Sequence, residues 1–263
     1  MSPDSRGSFR TSGAAYDGFM GRYSGLLAAP FADFAEVEDG QVAVDVGCGP
    51  GALTGELVGR LGAGNVSACD PSPSFVAACR QRHPGVDVHE AAAEELPFAD
   101  ASTDRVLAQL VLHFVDRPDR VAEEFRRVLR PGGVAAASVW HFAEGMEMLR
   151  LFWDAALAID PQAPDEARTL RFGRPGQIAG LLVDHGFSDV HEDAITVSST
   201  YADIDELWHG FLAGVGPAGG YLVGRPEDQQ EQVRAELVER LGAPSGAFTL
   251  DATALCARGR AGG

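Results

Sequence analysis

Val44-Asp45-Val46-Gly47-Cys48-Gly49-Pro50-Gly51 decides how this chain is read. A β-rich run, Val42 to Val46, breaks into glycines and gives way at once to helix-compatible residues from Ala52 to Leu61. A buried strand that turns through glycine into a helix is the opening unit of a parallel α/β sheet. Glycines there let the main chain turn sharply and approach a ligand without side-chain obstruction, at the carboxyl edge of the sheet. Alone, the stretch speaks for a nucleotide-like ligand and does not choose between cofactors.

Downstream the alternation continues. Val66 to Cys69 reads as a strand, Ser72 to Arg82 as a helix, and Val86 to His89 as a strand. Arg105 to Ala108 is a further buried strand, Pro118 to Leu129 a helix, and Val134 to Trp140 a strand introduced by the turn Pro131-Gly132-Gly133. After Trp140 the pattern changes to a helical segment, Gly145 to Ile159, and a linker with Pro161 and Pro164, read as a lid. A helix from Pro175 to His185, a strand from Val190 to Val197, a helical region from Asp203 to Leu241 and a strand from Ala247 to Cys256 follow, with Arg258 to Gly263 read as a frayed tail.

The expected fold is α/β: a doubly wound, mostly parallel, seven-stranded Rossmann-like sheet with N-terminal cover helices and helical lid insertions. The expected organisation is a disordered tail at 1–13 and a single domain at 14–263. Its cofactor-binding core is placed at 40–141, with insertions around 143–170 and 203–241.

Composition narrows the chemistry. A formal net charge of −17 and the interleaving of Arg126, Arg127 and Arg130 with Glu123 and Glu124 disfavour nucleic acid and anionic membranes as partners. The chain has no lysine, which excludes P-loop, Schiff-base and pyridoxal-phosphate lysine chemistry. Cys48, Cys69, Cys79 and Cys256 lack CxxC spacing and read as reduced thiols acting as small hydrophobes, in keeping with a cytoplasmic protein. The polar stretch Met1 to Gly13 reads as neither signal peptide nor membrane anchor. Asp203, Asp205 and Glu206 have no His or Cys at ligand spacing, so no metal is expected.

Gly47, Gly49 and Ala52 satisfy a relaxed GxGxxG/A pattern, and Asp70 closes the second strand where an acid can grip ribose hydroxyls. Asp45 and Gly51 extend it to DxGxGxG, which resembles motif I of the class I S-adenosylmethionine (SAM) methyltransferases. Ala93-Glu94-Glu95-Leu96-Pro97-Phe98, Asp104 to Gln109 and Arg127-Val128-Leu129-Arg130-Pro131-Gly132-Gly133 resemble, in order, later segments of the type 11 methyltransferase family that includes quinone-biosynthesis enzymes. The likeness runs from about Tyr16 to Trp140. It departs from the family at Ala92, where a polar residue is common, and at Thr103, where Phe is usual.

The resemblance implies SAM as cofactor, with Gly47, Cys48, Gly49 and Gly51 along its methionine and ribose and Asp70 on the ribose hydroxyls. Asp45 would help position the amino-acid portion, Pro71 would pack on adenine, Ala93 and Glu94 would read the adenine edge, and Gln109 would offer a carbonyl to the ammonium. Tyr16, Met20, Arg22 and Tyr23 resemble the family's cover over the cofactor; Arg22 is either a partner of the SAM carboxylate or a solvated arginine.

Methyl transfer from a sulfonium needs alignment and exclusion of water rather than a protein nucleophile. His113 and His141 are candidate bases or, alternatively, rim histidines bonded to main chain. His83 and His185 read as helix-dipole partners, His89 and His191 as strand residues. Phe152, Trp153, Trp208, His209, Phe211 and Tyr221 are either an apolar acceptor pocket, with Met20 and Tyr23, or packing. The expected activity is transfer to O, N or C of a small-molecule acceptor by a monomer or homodimer. The alternatives are a SAM-binding protein that steers another reaction or serves as a binding module, and a nicotinamide-dependent oxidoreductase, which leaves the later segments unexplained.

Overall fold

The computed structural model describes residues 17–262, so the expectations for the tail at 1–13 and for Tyr16 lie outside the described residues. In order come α1 (Arg22–Phe34), β1 (Ala43–Val46), α2 (Ala52–Leu61), β2 (Val66–Asp70), α3 (Pro73–Arg82), β3 (Asp87–Glu90), β4 (Thr103–Gln109), α4 (Pro118–Val128) and β5 (Leu129–Trp140). Then follow α5 (Glu147–Ile159), α6 (Glu166–Thr169), α7 (Gln177–Asp184), β6 (Phe187–Tyr201), α8 (Ile204–Leu212), α9 (Gly216–Val223), α10 (Glu227–Arg240) and β7 (Phe248–Ala261). The sheet has seven strands in the order β3-β2-β1-β4-β5-β7-β6. β1 pairs in parallel with β2 and β4, β2 with β3, and β4 with β5. This is the expected doubly wound α/β sheet, whose strand order reverses at β1.

Two compact units divide the described chain. A larger one comprises 24–139, 171–195 and 254–262; a smaller one comprises 17–23, 140–170 and 196–253.

In the larger unit every residue of β1 is buried, as a central parallel strand requires. α4 buries Val121, Ala122, Phe125 and Val128, an apolar stripe at helical spacing, yet also buries Glu124. That acid is tolerated because it is fully engaged. Its Oε2 accepts the Leu96 N–H at 2.8 Å and an Arg127 N–H at 2.7 Å, and Arg127 in turn donates to the carbonyls of Leu96 and Phe98. Hydrogen bonds from Arg127 hold the Glu124 carboxyl below the usual carboxylate range despite its burial. The AEELPF and RVLRPGG segments are thus tied together by one ion pair. Glu124→Gln should lower stability by about 1–2 kcal/mol by weakening charge-assisted bonds. An unchanged denaturant midpoint would remove this bridge from the account.

Thr103, the departure from the family's Phe, is buried and donates from its hydroxyl to the Val42 carbonyl at 2.8 Å. The smaller polar side chain therefore has a defined partner beneath β4.

One expectation is corrected. Arg258 to Ala261 is not frayed but belongs to β7. Arg258 donates to the Phe34 carbonyl, and Arg258 and Arg260 both pair with Glu36. A polar, Gly-containing composition concealed this because the partners lie at the other end of the chain. The last strand also runs past its expected end at Cys256.

In the smaller unit the helical region expected from Asp203 to Leu241 resolves into α8, α9 and α10. Asp203 caps α8 by accepting the Glu206 N–H, while Asp205 pairs with Arg234 and Glu206 with Arg22. Each of these acids has a partner, and among the described residues no cluster of His, Cys, Asp or Glu is arranged to hold a metal ion. No helix among them is long and apolar enough to cross a membrane.

Candidate functional site: the glycine loop and its surroundings

The loop after β1 is built by three left-handed glycines, at φ 70° for Gly47, 52° for Gly49 and 98° for Gly51. L-side chains rarely adopt this region, so the spelling of the loop follows from its path. The three glycines have different neighbours. A Cβ on Gly47 would stand 2.5 Å from Val111, and one on Gly51 would stand 2.7 Å from the His83 ring. At Gly49 nothing lies within 4 Å, so that main chain is open to close approach.

Hydrogen bonds fix the loop against β2. The N–H groups of Gly47 and Cys48 both donate to the Cys69 carbonyl, at 2.7 and 3.0 Å. Asp70, at the end of β2, accepts the Gly49 N–H on Oδ2 at 2.9 Å and the Ser72 N–H on Oδ1 at 2.8 Å. Each carboxylate oxygen keeps capacity for another donor. Burial pushes the Asp70 carboxyl up, opposed by those two N–H donors.

Asp45 is turned elsewhere. It is buried and accepts the Thr54 hydroxyl at 2.6 Å, which ties β1 to α2. Burial pushes its carboxyl up to about 7, with the Asp70 charge adding and the Thr54 hydrogen bond opposing. Any influence on a ligand passes through the loop it braces. Cys48 likewise points inward, packing with Ala68, Val76, Cys79 and Val88, so only its main chain is on offer. All four cysteines are free and buried.

Gln109 closes β4. Its Nε2 donates to the Ser24 carbonyl at 2.9 Å, while its Oε1 and the Ser24 hydroxyl are buried without a hydrogen-bond partner among the described residues. A buried acceptor left unpaired is costly. The next residue, Leu110, holds a left-handed φ of 65° without being glycine, a strain of roughly 1–2 kcal/mol, and donates its N–H to the Ser138 carbonyl at 2.9 Å. This strained corner carries Val111 over Gly47. Neither Ser24 nor Leu110 gave any signal in the sequence.

The segment after β3 joins the same edge. The Ala91 N–H donates to the Asp70 carbonyl at 3.2 Å, and Ala93 is buried. Glu94 is partly committed, since Oε1 accepts the N–H groups of Asp116 and Arg117 at 3.1 and 3.3 Å. Pro71 is exposed beside Asp70.

His113 is buried, and burial pushes its imidazole down to about 3, opposed by a main-chain hydrogen bond with Arg171. A ring with so little proton affinity is a weak base near neutrality. Of the two readings of His113, this geometry favours the main-chain partner. His83 stands at the C-terminal end of α3, as the sequence reading placed it, and its Nε2 lies 2.8 Å from the Gly51 carbonyl. His185 does cap its helix, with Nδ1 2.9 Å from the Leu181 carbonyl.

The remaining candidates lie in the smaller unit. Arg22, read as either a partner of the SAM carboxylate or a solvated arginine, donates to Ser199 at 2.9 Å, to the Thr200 carbonyl at 2.9 Å and to Glu206 at 2.8 Å. It also stands 3.7 Å above the Tyr201 ring. Tyr23 is fully buried with its hydroxyl 3.2 Å from that of Tyr201, and burial raises its proton affinity. His141 is half-buried and its main-chain N–H donates to the Thr253 carbonyl at 2.9 Å. Met20 is half-buried in a π-helical turn, Asp17–Gly21.

Phe152, Trp153, Phe211 and Tyr221, read as either an acceptor pocket or packing, come together and are buried. Phe152 stacks on Phe211 at 4.4 Å, and Trp153 lies 5.5 Å from Tyr221. Trp208 is buried at their edge, 6.5 Å from Phe211, and Phe19, which the sequence did not single out, meets Phe211 edge-on at 5.1 Å. His209 stands apart, exposed, with Nδ1 2.6 Å from the Asp205 carbonyl of its own helix. Missed altogether was Glu166, a buried acid that accepts the Trp153 indole N–H at 2.8 Å.

Comparison with known proteins gives a consistent result. The type 11 family described as "Methyltransferase domain" matches residues 44–137. A Mycobacterium ulcerans protein named "Probable phthiotriol/phenolphthiotriol dimycocerosates methyltransferase 2" is 39% identical over 122 residues, 45% of each chain. A malonyl-[acyl-carrier protein] O-methyltransferase of Methylococcus capsulatus is 30% identical over 61% of this chain and 57% of its own. The chain thus spans about half the length of these two relatives. In fold it resembles the phosphoethanolamine N-methyltransferase 2 of Haemonchus contortus, solved with phosphomonomethylethanolamine and S-adenosylhomocysteine. The TM-score is 0.58 at 16% identity, over 95% of this chain and 57% of that one.

Proposed function

The chain belongs, through residues 44–137, to the class I methyltransferases of the type 11 family, and from that premise we propose that it transfers a methyl group from SAM to O, N or C of a small-molecule acceptor. The observation that carries the reading is the juxtaposition of an unobstructed Gly49 with Asp70, two carboxylate oxygens already oriented by main-chain donors. Such a pair suits a vicinal diol, which brings two hydroxyl donors. Gln109 Oε1 lacks a donor, and an ammonium group supplies one. The residues present therefore fit SAM.

In this reading the main chain of Gly47, Cys48, Gly49 and Gly51 lies along the methionine and ribose, Pro71 and Ala93 along adenine, with Glu94 Oε2 at its edge. SAM supplies an activated methyl on sulfonium sulfur, which leaves as a neutral thioether. The protein aligns the acceptor and excludes water. His113 holds too little proton affinity to draw a proton from an acceptor, which leaves His141 as the histidine candidate for that task.

Titration calorimetry with SAM, S-adenosylhomocysteine and NADH tests the reading. Binding of the first two without NADH is expected. Binding of NADH alone would overturn it. SAM binding with no methyl transferred to any acceptor class would favour the alternative, a SAM-binding protein that steers another reaction.

A further inference from the structure

α3 ends against the glycine loop, and its last residues hold that loop from outside. Arg82 donates to the Pro50 carbonyl at 3.3 Å, and His83 Nε2 lies 2.8 Å from the Gly51 carbonyl. A carbonyl can only accept, so His83 carries its proton on Nε2 here. The Gly51 carbonyl also receives the Gly55 N–H at 3.0 Å, in the first turn of α2. One oxygen thus joins the loop, the start of α2 and the end of α3.

The glycines around this oxygen are shaped to His83. A Cβ on Gly51 would stand 2.7 Å from His83 Cδ2, and one on Gly55 would stand 2.9 Å from His83 Cε1. Gly55 is an interior helical residue without positive φ, where alanine would ordinarily be preferred by roughly 1 kcal/mol. Its glycine is explained by the imidazole lying across it.

We propose that His83 is a positioning residue for the cofactor: through the Gly51 carbonyl it fixes the loop that presents the open Gly49 main chain, and Gly55 is kept small to admit it. The inference rests on the SAM reading above. His83 touches neither acceptor nor cofactor, so its effect appears in cofactor affinity and in the KM for SAM, with kcat at saturating SAM left nearly unchanged.

The test is a double-mutant cycle read by SAM titration beside thermal melting. His83→Ala is expected to weaken SAM binding about fivefold, from loss of one hydrogen bond to a carbonyl. His83→Gln, which can present an amide N–H to the same oxygen, is expected to recover most of that loss. Gly55→Ala alone should also weaken binding, because its methyl displaces the ring. In the His83→Ala background the same methyl meets open space and should leave affinity unchanged while raising the melting temperature.

Equal SAM affinity in wild type and His83→Ala overturns the proposal, as does a Gly55→Ala effect that is the same in both backgrounds. A fall in affinity for His83→Ala that His83→Gln fails to recover assigns the residue to packing alone and equally overturns it. Failure of the wild type itself to bind SAM would instead reject the functional reading.

Discussion

Asp70→Ala is expected to weaken SAM binding by on the order of 1.5–3 kcal/mol, roughly ten- to a hundredfold, the cost of a lost charged acceptor. The substitution acts twice. It removes the carboxylate that would take the ribose hydroxyls, and it strips partners from the N–H groups of Gly49 and Ser72, which Asp70 holds at 2.9 and 2.8 Å. Asp70→Asn separates the two parts, because one amide oxygen can still accept one of those N–H groups but carries no charge. Calorimetry should place it between wild type and alanine. An unchanged affinity in Asp70→Ala would remove this residue from the site, whatever the loop then proves to bind.

The second large effect concerns stability. Glu166 is buried and pushed up to about 7 by that burial, the Trp153 N–H opposing and the Asp165 charge adding. The folded protein therefore retains a proton that the unfolded chain releases at about pH 4.5, so this stabilisation is complete below that value and drains as pH rises through about 7. The amount is on the order of 3 kcal/mol. Glu166→Gln keeps an acceptor for Trp153 and removes the titration. Compared with wild type by urea unfolding from about pH 5 to about pH 9, it should be nearly neutral at the acid end and clearly more stable at the alkaline end. Asp45, also pushed up to about 7, gives wild type and variant a common slope, so the difference between them carries the result. Parallel curves would mean that Glu166 does not titrate in this range.

What the sequence made legible is local. The strand Val42 to Val46, the glycines after it and the helix beginning at Ala52 announce themselves because strand burial, left-handed φ and helix start are each decided within a few residues. Asp70 could be picked out because it closes the next strand in a repeated unit. What remained hidden depends on partners far along the chain. Arg22 looks like a free cation until Ser199 and Glu206 are seen around it, and Arg258 and Arg260 look like a tail until Glu36 meets them. Glu166 sits beside Asp165 in Pro164-Asp165-Glu166-Ala167-Arg168, and no periodicity marks either acid as buried. His83 could be placed at a helix end by pattern, but not against a carbonyl 32 residues earlier.

The strand order carries a consequence for how the molecule is made. β7 follows the other six strands of the sheet in sequence, yet it lies between β5 and β6. While the chain is being synthesised, β5 and β6 are complete before the strand that separates them exists, and each presents an unpaired edge until it arrives. Direct pairing of those two edges with one another, or with those of a neighbouring nascent chain, is the mistake this order invites. Delayed insertion of a distant segment is also slow, because loop closure precedes the contacts that reward it. A block to translation shortly before Phe248 should therefore leave a product that recruits chaperones far more strongly than one stalled after β5.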